Sequence, residues 1–320
     1  MSAIAPAIGE DCVLVHPGAD EFEHLGVETR VLERPTTLRL ARLLRSLRPR
    51  LAHVTDVWPQ AVLAARLARV PRVLVTHHTP ELPRSDNLAG RFWQRLGWAL
   101  RPEVVYTSEA DRREDGRTPS HVVPLGIDLE RFAGLARGGH GERPRVGTVG
   151  RLAAQKGHRT LIEAARLLPQ ADFVIVGDGE LRAELERMAG SNVQLTGARE
   201  DVPELLASFD VYAQPSLYEG LCLAVIEAQA AGVPVVATPV GGMRETVVDG
   251  ETGLLVPPED PEGLAGAILR LLEDSALAKR LTAEASRRVR QRYSEARMIE
   301  ETLGLYGLRP NATSVSQPDG

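Results

Sequence analysis

The sequence has little lysine and little cysteine. Only two of its 38 basic residues, Lys156 and Lys279, are lysines. Coding bias towards arginine explains this composition as a whole, but it draws attention to Lys156, which lies in a glycine-flanked loop. Cys12 and Cys222 are too far apart in sequence for a disulfide framework of the secreted kind, and neither has metal-ligand spacing. We expect both to be free thiols.

Long apolar runs and an excess of positive charge are also missing. No run approaches the roughly 18 apolar residues that span a membrane, and the first residues do not resemble a signal peptide, so we expect a cytoplasmic protein. The net charge of −5 disfavours general affinity for nucleic acid, which depends on a basic surface. A length of 320 residues, 43% of them hydrophobic, suits a globular chain with two domains.

Short apolar runs that end at Gly or Pro alternate with amphipathic stretches, a pattern typical of a parallel α/β sheet. The alternation breaks at residues 136–144, which are rich in Gly and charge, and we expect the linker there. We predict one α/β domain over residues 1–138, a second over residues 143–292, and disorder in the tail 309–320. In the second domain, a helix over Asp201–Phe209 should be capped by Asp201 itself.

Three loops of the second domain should lie at the carboxyl ends of parallel strands, where such sheets bind ligands. They are residues 150–157, 177–180 and 215–223, and we expect them to line a cleft between the domains. The segment VGDGEL in the second loop lacks the third glycine of a dinucleotide-binding fingerprint. A dinucleotide is therefore not predicted.

The first and third loops suit a phosphate-bearing ligand. Arg151 offers a planar fork and Lys156 a point charge, both between glycines that let the backbone come close. The turn at Gly220 begins a helix, and its first free amides, those of Gly220 to Leu223, form an anion site. Solvated loop charges and a plain turn explain each loop equally well when it is taken alone.

Glu219 and Glu227 invite comparison with a hydrolytic acid and base. Eight residues of helix rise about 12 Å, whereas such carboxyl pairs lie roughly 5 to 9.5 Å apart. The two glutamates fit separate contacts to one extended ligand better, although Glu227 could also be an exposed helix residue. In the first domain, His77 and His78 end a predicted strand; a structural histidine is the simpler interpretation, and no zinc site is expected.

The assembled motifs resemble the retaining glycosyltransferases of family 4, the glycosyl transferases group 1. The resemblance runs from His121 to Tyr306 and rests on several motifs in order, including VVPLGIDLERF, VGRLAAQKGHRTLIEAA, FVIVGDGELRAELE and YEGLCLAVIEAQAAG. Glu219 and Glu227 match the family's two glutamates separated by seven residues. The resemblance implies the GT-B architecture, in which two Rossmann-like domains face each other across a cleft, with a closing helix over residues 294–307 that returns to the first domain.

The resemblance also implies a role for each matching residue in binding a nucleotide-sugar donor. Arg151 and Lys156 would hold the donor diphosphate, Glu219 the hydroxyls of the transferred sugar, and Glu227 the ribose. His78, the histidine before Thr, would lie near the donor sugar. The remaining implied contacts are those of the amides of Gly220, Leu221, Cys222 and Leu223 with phosphate or sugar oxygens, and of the loop from Arg199 to Val202 with the nucleobase.

The implied reaction transfers a sugar from an NDP-sugar with retention, by front-face attack and without a protein nucleophile. Stabilisation of the departing diphosphate by Arg151 and Lys156 would replace a metal, so neither a metal nor another cofactor is expected. The chain departs from the family in two places: the first βα unit is missing ahead of CVLVHPG, and PLG stands where the family has PNG. The first departure would indicate a truncated, impaired enzyme or a misassigned start.

The acceptor would be recognised by the first domain, where the resemblance is weakest, and lipid-linked, polysaccharide and small-molecule acceptors all stay open. Residues 34–50, RPTTLRLARLLRSLRPR, could form a basic amphipathic surface for anionic lipid, although a domain helix with a solvated Arg face is the simpler interpretation. Two other functions share the architecture. They are a nucleotide-sugar 2-epimerase and a donor-binding protein without turnover.

Overall fold

The computed structural model describes residues 13–16, 28–31, 36–55, 59–77, 88–117, 119–135 and 141–308. Contacts divide the chain into two compact units, one made of residues 1–124 with 295–320 and the other of residues 125–294. Each unit has a sheet of parallel strands flanked by helices. The prediction of two Rossmann-like α/β domains is confirmed. None of the helices in the described ranges has both the length and the hydropathy of a membrane span.

The first unit contains a parallel four-stranded sheet in the order β3-β4-β5-β6, and a separate parallel pair, β1 and β2. Helices follow the strands as the amphipathic segments predict, although the short strand β6 and helix α4 were not predicted. The strands are β1 (Val13–His16), β2 (Glu28–Val31), β3 (Leu51–Thr55), β4 (Arg72–His77), β5 (Glu103–Tyr106) and β6 (Ser120–Val122), and the helices are α1 (Thr37–Leu47), α2 (Pro59–Leu67), α3 (Leu88–Ala99) and α4 (Glu109–Asp115).

The last helix of the chain, α12 (Glu295–Tyr306), belongs to this first unit. Arg72 of β4 donates a 2.7 Å hydrogen bond to the carbonyl of Leu305 and pairs with Glu103 of β5. The hydroxyl of Tyr306 bonds to Nδ1 of His53 on β3. These contacts fix α12 against the sheet of the first unit.

The second unit contains a parallel six-stranded sheet in the order β12-β11-β10-β7-β8-β9. Two apolar layers cover its two faces, one around Leu161 and Ile268 and the other around Phe209 and Ile226. The strands are β7 (Arg145–Val149), β8 (Asp172–Val176), β9 (Val193–Gly197), β10 (Val211–Gln214), β11 (Val235–Ala237) and β12 (Leu254–Leu255), and the helices are α5 (His158–Leu167), α6 (Arg182–Met188), α7 (Val202–Ala207), α8 (Leu223–Ala230), α9 (Met243–Thr246), α10 (Pro261–Glu273) and α11 (Ser275–Arg292).

The chain enters the second unit earlier than the Gly-rich segment predicts. The boundary falls after Pro124, and segment 136–144 follows it. Ile127 donates a 2.8 Å backbone hydrogen bond to Tyr293, and both Ile127 and Phe132 are buried in the core of the second unit. Apolar packing therefore attaches residues 125–135 to the second unit, whereas composition alone marked only the polar stretch beyond them. Residues 136–140 and the tail from residue 309 lie outside the described part of the chain.

The prediction that the side chain of Asp201 caps helix α7 is wrong. Asp201 is the N-cap residue, but its side chain makes no capping hydrogen bond. Both carboxylate oxygens of Asp201 accept instead from the guanidinium of Arg199, at 2.8 and 2.7 Å. A nearby arginine two residues away offers a bidentate partner that outcompetes a single backbone amide.

Candidate active site

The strand order of the second unit reverses direction between β7 and β10, which are neighbours in the sheet although two strands, β8 and β9, lie between them in sequence. In open parallel sheets such a reversal opens a crevice at the carboxyl ends of the two strands, and ligands bind there. The loops that follow β7 and β10 are residues 150–157 and 215–222. Both were predicted to bind ligand, and the topology brings them together.

These two loops are joined directly by backbone contacts. The amide of Leu217 donates a 2.8 Å hydrogen bond to the carbonyl of Gln155. Gly157 has φ of +67°, and a Cβ atom at this position would lie 1.9 Å from the carbonyl oxygen of Pro215. Only glycine fits both this backbone conformation and this close approach.

Lys156 and Glu219 form a buried ion pair across the two loops. Lys156 Nζ donates to Glu219 Oε1 at 2.7 Å, and the two side chains are only 18% and 5% exposed. Burial acts to lower the pKa of Lys156, whereas the neighbouring Cys222 and Glu219 act to raise it, and on balance the pKa is raised. Lys156 therefore carries a positive charge at neutral pH inside a largely dry site.

Behind Glu219 lies a chain of buried polar side chains from β10 and its loop. The hydroxyl of Tyr212 bonds to Gln214 Oε1 at 2.7 Å, and Gln214 Nε2 donates to Ser216 Oγ at 2.9 Å. Ser216 Oγ then donates to Glu219 Oε1 at 2.6 Å. Tyr212, Gln214 and Ser216 are fully buried. We call these three residues, with Glu219 and Lys156, the buried cluster.

The turn after Glu219 presents a row of free amides. Helix α8 begins at Leu223, and the N–H groups of Gly220, Leu221, Cys222 and Leu223 have no acceptor among the residues that the structure describes. The carbonyl of Glu219 accepts from the amide of Gly242 at 3.3 Å. Four consecutive free amides at a helix N-terminus are suited to binding an anion.

Arg151 lies at the same sheet edge, but its surroundings differ from those of Lys156. Its side chain is 73% exposed and pairs with Glu180 at 3.1 Å. Glu180 follows Gly179, where a Cβ atom would lie 2.6 Å from the carbonyl oxygen of Leu152, so the predicted loop 177–180 packs against loop 150–157. All three predicted loops therefore meet at one edge of the sheet.

Glu227 lies in α8, partly buried, with no hydrogen bond to its carboxylate from any residue in the described ranges. Burial raises the pKa of Glu227, and the positive charge of Arg131 partly opposes this. A shallow groove nearby is lined by Arg131, Glu200, Asp201, Pro203 and Glu204. The predicted nucleobase loop from Arg199 to Val202 thus reaches this groove through its two acidic residues.

His78, the histidine predicted to lie near the donor sugar, is outside the described residues. Its neighbour His77 is the last residue of β4, at the carboxyl end of that strand in the first unit. In the described part of the chain no group of three or more His, Cys, Asp or Glu side chains has the arrangement of a metal site.

Several residues at the site were not singled out from the sequence. Gln214 ends a predicted strand and Ser216 lies in the predicted loop 215–223, but only packing shows that their side chains point inwards. His158 opens α5 beside Lys156 and is only 2% exposed, with no described partner for either ring nitrogen. Burial, together with the charge of Lys156, lowers the pKa of His158 to about 4. Gly241 is another such residue: a Cβ atom here would lie 1.8 Å from the carbonyl oxygen of Glu219, and the sequence signal for it is the Gly-Gly pair at residues 241–242.

Comparison with known families gives two matches that together cover most of the chain. A family model described as glycosyl transferases group 1 matches residues 143–274. A second, described as glycosyltransferase family 4, matches residues 15–131. The second match falls in the part of the chain where the motifs alone carried the least information.

Two relatives illustrate the similarity to curated proteins. The chain is 35% identical over 254 residues to an alpha-D-kanosaminyltransferase of Streptomyces kanamyceticus, covering 76% of this chain and 61% of that protein. It is 33% identical over 301 residues to a GDP-mannose-dependent alpha-(1-6)-phosphatidylinositol monomannoside mannosyltransferase of Mycolicibacterium smegmatis, covering 80% of this chain and 79% of the relative.

Solved structures share the fold. A glycosyltransferase from Rickettsia africae superposes with a TM-score of 0.80 at 20% identity, covering 95% of this chain and 93% of its own. Anabaena HepE in complex with UDP and glucose gives a TM-score of 0.81 at 21% identity, covering 96% and 94% of the two chains. At this level of identity the likeness concerns the fold alone.

Proposed function

The chain belongs to the glycosyltransferases of group 1 and family 4, which have the GT-B fold, and from this membership we propose that it is a retaining enzyme that transfers a sugar from an NDP-sugar to an acceptor hydroxyl. One observation supports the proposal above all. At the topological switch point of the second unit, Glu219 pairs with a buried, positively charged Lys156 and is followed in sequence by four amides that have no acceptor in the described part of the chain. This arrangement suits a diphosphate linked to a polyhydroxylated group.

The charges suit the leaving group of such a transfer. The acceptor oxygen would attack the anomeric carbon while the bond from that carbon to the diphosphate oxygen breaks, and the acceptor proton would pass to the departing phosphate. Lys156, the amides of Gly220 to Leu223 and the more exposed Arg151 would stabilise the charge that develops on the diphosphate. With these groups present, we propose that the reaction needs no metal ion.

The other glutamate and its surroundings suit the nucleoside. Glu227 has a carboxylate without a described hydrogen-bond donor, and two ribose hydroxyls could donate to it. The groove formed by Arg131 and the acidic residues next to Arg199 and Val202 would then take the base. His78 keeps its proposed place near the transferred sugar through the resemblance alone.

The proposal is tested by turnover of a panel of NDP-sugars, including UDP-glucose, UDP-galactose and GDP-mannose, with lipid-linked, polysaccharide and small-molecule acceptors. We expect release of a nucleoside diphosphate that depends on an acceptor, and a product whose anomeric proton coupling shows retention. A sugar interconverted without any acceptor would instead identify an epimerase. Donor binding without product from any acceptor would identify a binding protein, and inversion at the anomeric carbon would contradict the retaining mechanism.

Helix α1 supports a second, separate proposal, that the protein binds to the surface of anionic membranes. Leu38 is 65% exposed at the start of this helix, and Arg39, Arg42 and Arg45 are exposed along it. Because Leu40 and Ala41 pack in the core of the first unit, the side left exposed is a row of arginines beside one leucine, which suits contact with negatively charged lipid headgroups. We expect the protein to sediment with vesicles of phosphatidylglycerol and not with vesicles of phosphatidylcholine. Sedimentation that is unchanged in an Arg39→Glu, Arg42→Glu variant would contradict this role of α1.

A further inference from the structure

The hydrogen bonds behind Glu219 run in one direction. The amide of Val149 donates to the oxygen of Tyr212 at 3.2 Å, and the phenol's acceptors are Gln214 Oε1 at 2.7 Å and the carbonyl of Val149 at 3.2 Å, with the Thr148 side chain also beside it. The shorter contact takes the single proton. Burial raises the pKa of Tyr212 well above its ordinary value, so the phenol keeps that proton.

Once Tyr212 donates to Gln214 Oε1, the orientation of the amide is fixed. Its nitrogen then faces Ser216 Oγ, and this oxygen accepts. Ser216 has one proton, which goes to Glu219 Oε1. Every proton in the chain therefore points towards Glu219, and because all three side chains are fully buried, water offers none of them another partner.

The two oxygens of Glu219 are in different situations. Oε1 accepts from both Ser216 and Lys156, at 2.6 and 2.7 Å. Oε2 accepts from no residue in the described part of the chain, and it is absent from the fully buried side-chain atoms that lack a partner. Oε2 therefore keeps some accessible surface, and it is the oxygen left for a ligand.

Lys156 cannot serve two partners fully. If it moves its ammonium group towards a diphosphate, as the proposed function requires, Glu219 loses one of the two donors that fix its carboxylate. Ser216 then remains as the only described side chain that holds Oε1. The orientation of Glu219 consequently depends most on Ser216 when the donor is bound.

We propose that Ser216 and Gln214, supported by Tyr212, are positioning residues that hold Glu219 with Oε2 towards the hydroxyls of the donor sugar. The inference rests on the proposed function. It extends that function as follows: the preference for an NDP-sugar over the bare nucleoside diphosphate depends on the hydrogen-bonded chain of Tyr212, Gln214 and Ser216, although Tyr212 and Gln214 do not contact the donor.

Ser216→Ala tests the proposal, because it removes one hydroxyl and adds no bulk. The probes are UDP with UDP-glucose and GDP with GDP-mannose, and the pair that the wild-type protein binds is used. We expect kcat to fall about tenfold to a hundredfold, since small misplacements of a contact group have effects of this size. The affinity for the NDP-sugar should fall, while that for the nucleoside diphosphate stays within about twofold. A merely structural defect would weaken both affinities together.

Ser208→Ala is the matched control. Ser208 is a serine of the same unit whose hydroxyl donates to a helix carbonyl, that of Leu205, at 2.7 Å. We expect this variant to leave kcat and both affinities unchanged. If it lowers them as much as Ser216→Ala does, hydroxyl removal in this unit is disruptive in general and the proposal fails.

Gln214→Glu tests the direction of the chain. An ionised carboxylate at this position would draw the proton of Ser216 away from Glu219, whereas the protonated acid could donate to Ser216 as the amide does. We expect the activity of the variant, relative to the wild type, to recover as the pH falls. A ratio that does not change with pH in a folded variant would contradict the direction proposed.

The proposed function and the positioning role of Ser216 can fail separately. A wild-type protein that transfers sugar, combined with a Ser216→Ala variant that keeps its preference for NDP-sugar over nucleoside diphosphate, overturns the positioning role and leaves the proposed function standing. A wild-type protein that binds no NDP-sugar overturns both.

Discussion

The buried and exposed sides of the site hold similar residue types in opposite surroundings. In the buried cluster, Lys156 and Glu219 are largely shielded from water, and further buried hydrogen bonds support them. On the exposed side, Arg151 and Glu180 form an ion pair at 3.1 Å with side chains 73% and 53% exposed. An exposed pair contributes little to stability and rearranges easily, whereas removing one member of a buried pair leaves an uncompensated charge. The buried cluster should therefore be rigid and should not tolerate substitution, whereas the exposed side should tolerate it.

The largest effect should come from Lys156→Ala. Removing the charge that we propose stabilises the leaving group should lower turnover by about a hundredfold to a thousandfold, as the loss of other transition-state contacts does. Because Glu219 would be left buried without its cation, the free energy of unfolding should also fall, by about 3 kcal/mol. Steady-state kinetics and thermal unfolding measure the two effects.

The other lysine of the chain provides the control for this variant. Lys279 is exposed on α11, and Lys279→Ala should change neither turnover nor stability. If the Lys156→Ala variant keeps wild-type turnover, Lys156 has no role in the reaction, and the expected difference in sensitivity between the buried cluster and the exposed side is contradicted.

Glu227→Gln should have an intermediate effect, of about tenfold on nucleoside diphosphate affinity, because the charged carboxylate that we propose accepts hydrogen bonds from the ribose becomes a neutral amide. The raised pKa of Glu227 means that protonation begins at a higher pH than for an ordinary glutamate. Nucleotide affinity of the wild type should fall as the pH decreases through that pKa, and the variant should lack this step. Calorimetric titration over a pH series measures both.

The same substitution should increase stability at neutral pH. A raised pKa in the folded state means that folding disfavours the ionised carboxylate, so its cost appears as the pH rises above the unfolded pKa. The neutral amide of Gln removes that cost. A variant that is less stable than the wild type at neutral pH would contradict the environment described for Glu227.

A smaller effect, of about fivefold on turnover, is expected for Arg151→Ala, because a solvated guanidinium contributes less than a buried ammonium. Thermal stability should stay within about 0.5 kcal/mol of the wild type, as for most surface substitutions. Glu180→Ala removes the partner and leaves Arg151 in place, so its turnover should equal or exceed that of the wild type. If Arg151→Ala lowers turnover as much as Lys156→Ala does, solvent exposure does not determine how much each residue contributes to turnover.

The weakest effect on activity should come from His158→Leu. This substitution tests whether the histidine buried beside the cluster is uncharged in the folded protein. The pKa of His158 is lowered to about 4, so its unfolded form binds a proton first as the pH falls, and stability is lost between about 6.5 and 4. This single group accounts for about 3 kcal/mol of that loss. Denaturant unfolding at pH 7 and pH 4.5 should show a smaller acid loss in the variant. An equal loss would indicate that other groups cause it.

The alternation of apolar runs and amphipathic segments predicted most strands and helices of both units, because central strands such as β8 and β10 are buried along almost their whole length and helices such as α5 on one side. The three loops that we predicted to bind a ligand followed from the same pattern. What the pattern could not supply is the strand order, which depends on contacts between residues far apart in sequence. Without the adjacency of β7 and β10, nothing brings Lys156 to Glu219.

The misplaced linker and the wrong cap have a common origin. The linker was predicted from a polar composition and the cap from the residue type of Asp201, but hydrogen-bond partners that the sequence pattern does not reveal decide both. Ile127 bonds to Tyr293, which places residues 125–135 in the second unit, and Asp201 bonds to Arg199 instead of capping the helix. From residue type alone, Arg151 and Lys156 likewise had the same predicted role in binding the diphosphate. Their burial separates them, and burial is set by tertiary packing.

The most direct measurement of the central claim is a crystal structure of the protein with a bound nucleoside diphosphate. We expect Lys156 Nζ to turn from Glu219 to the phosphates, the phosphates to accept from the amides of Gly220 to Leu223, and Ser216 to keep its hydrogen bond to Glu219. Phosphates bound elsewhere, with the pair between Lys156 and Glu219 unchanged, would contradict it.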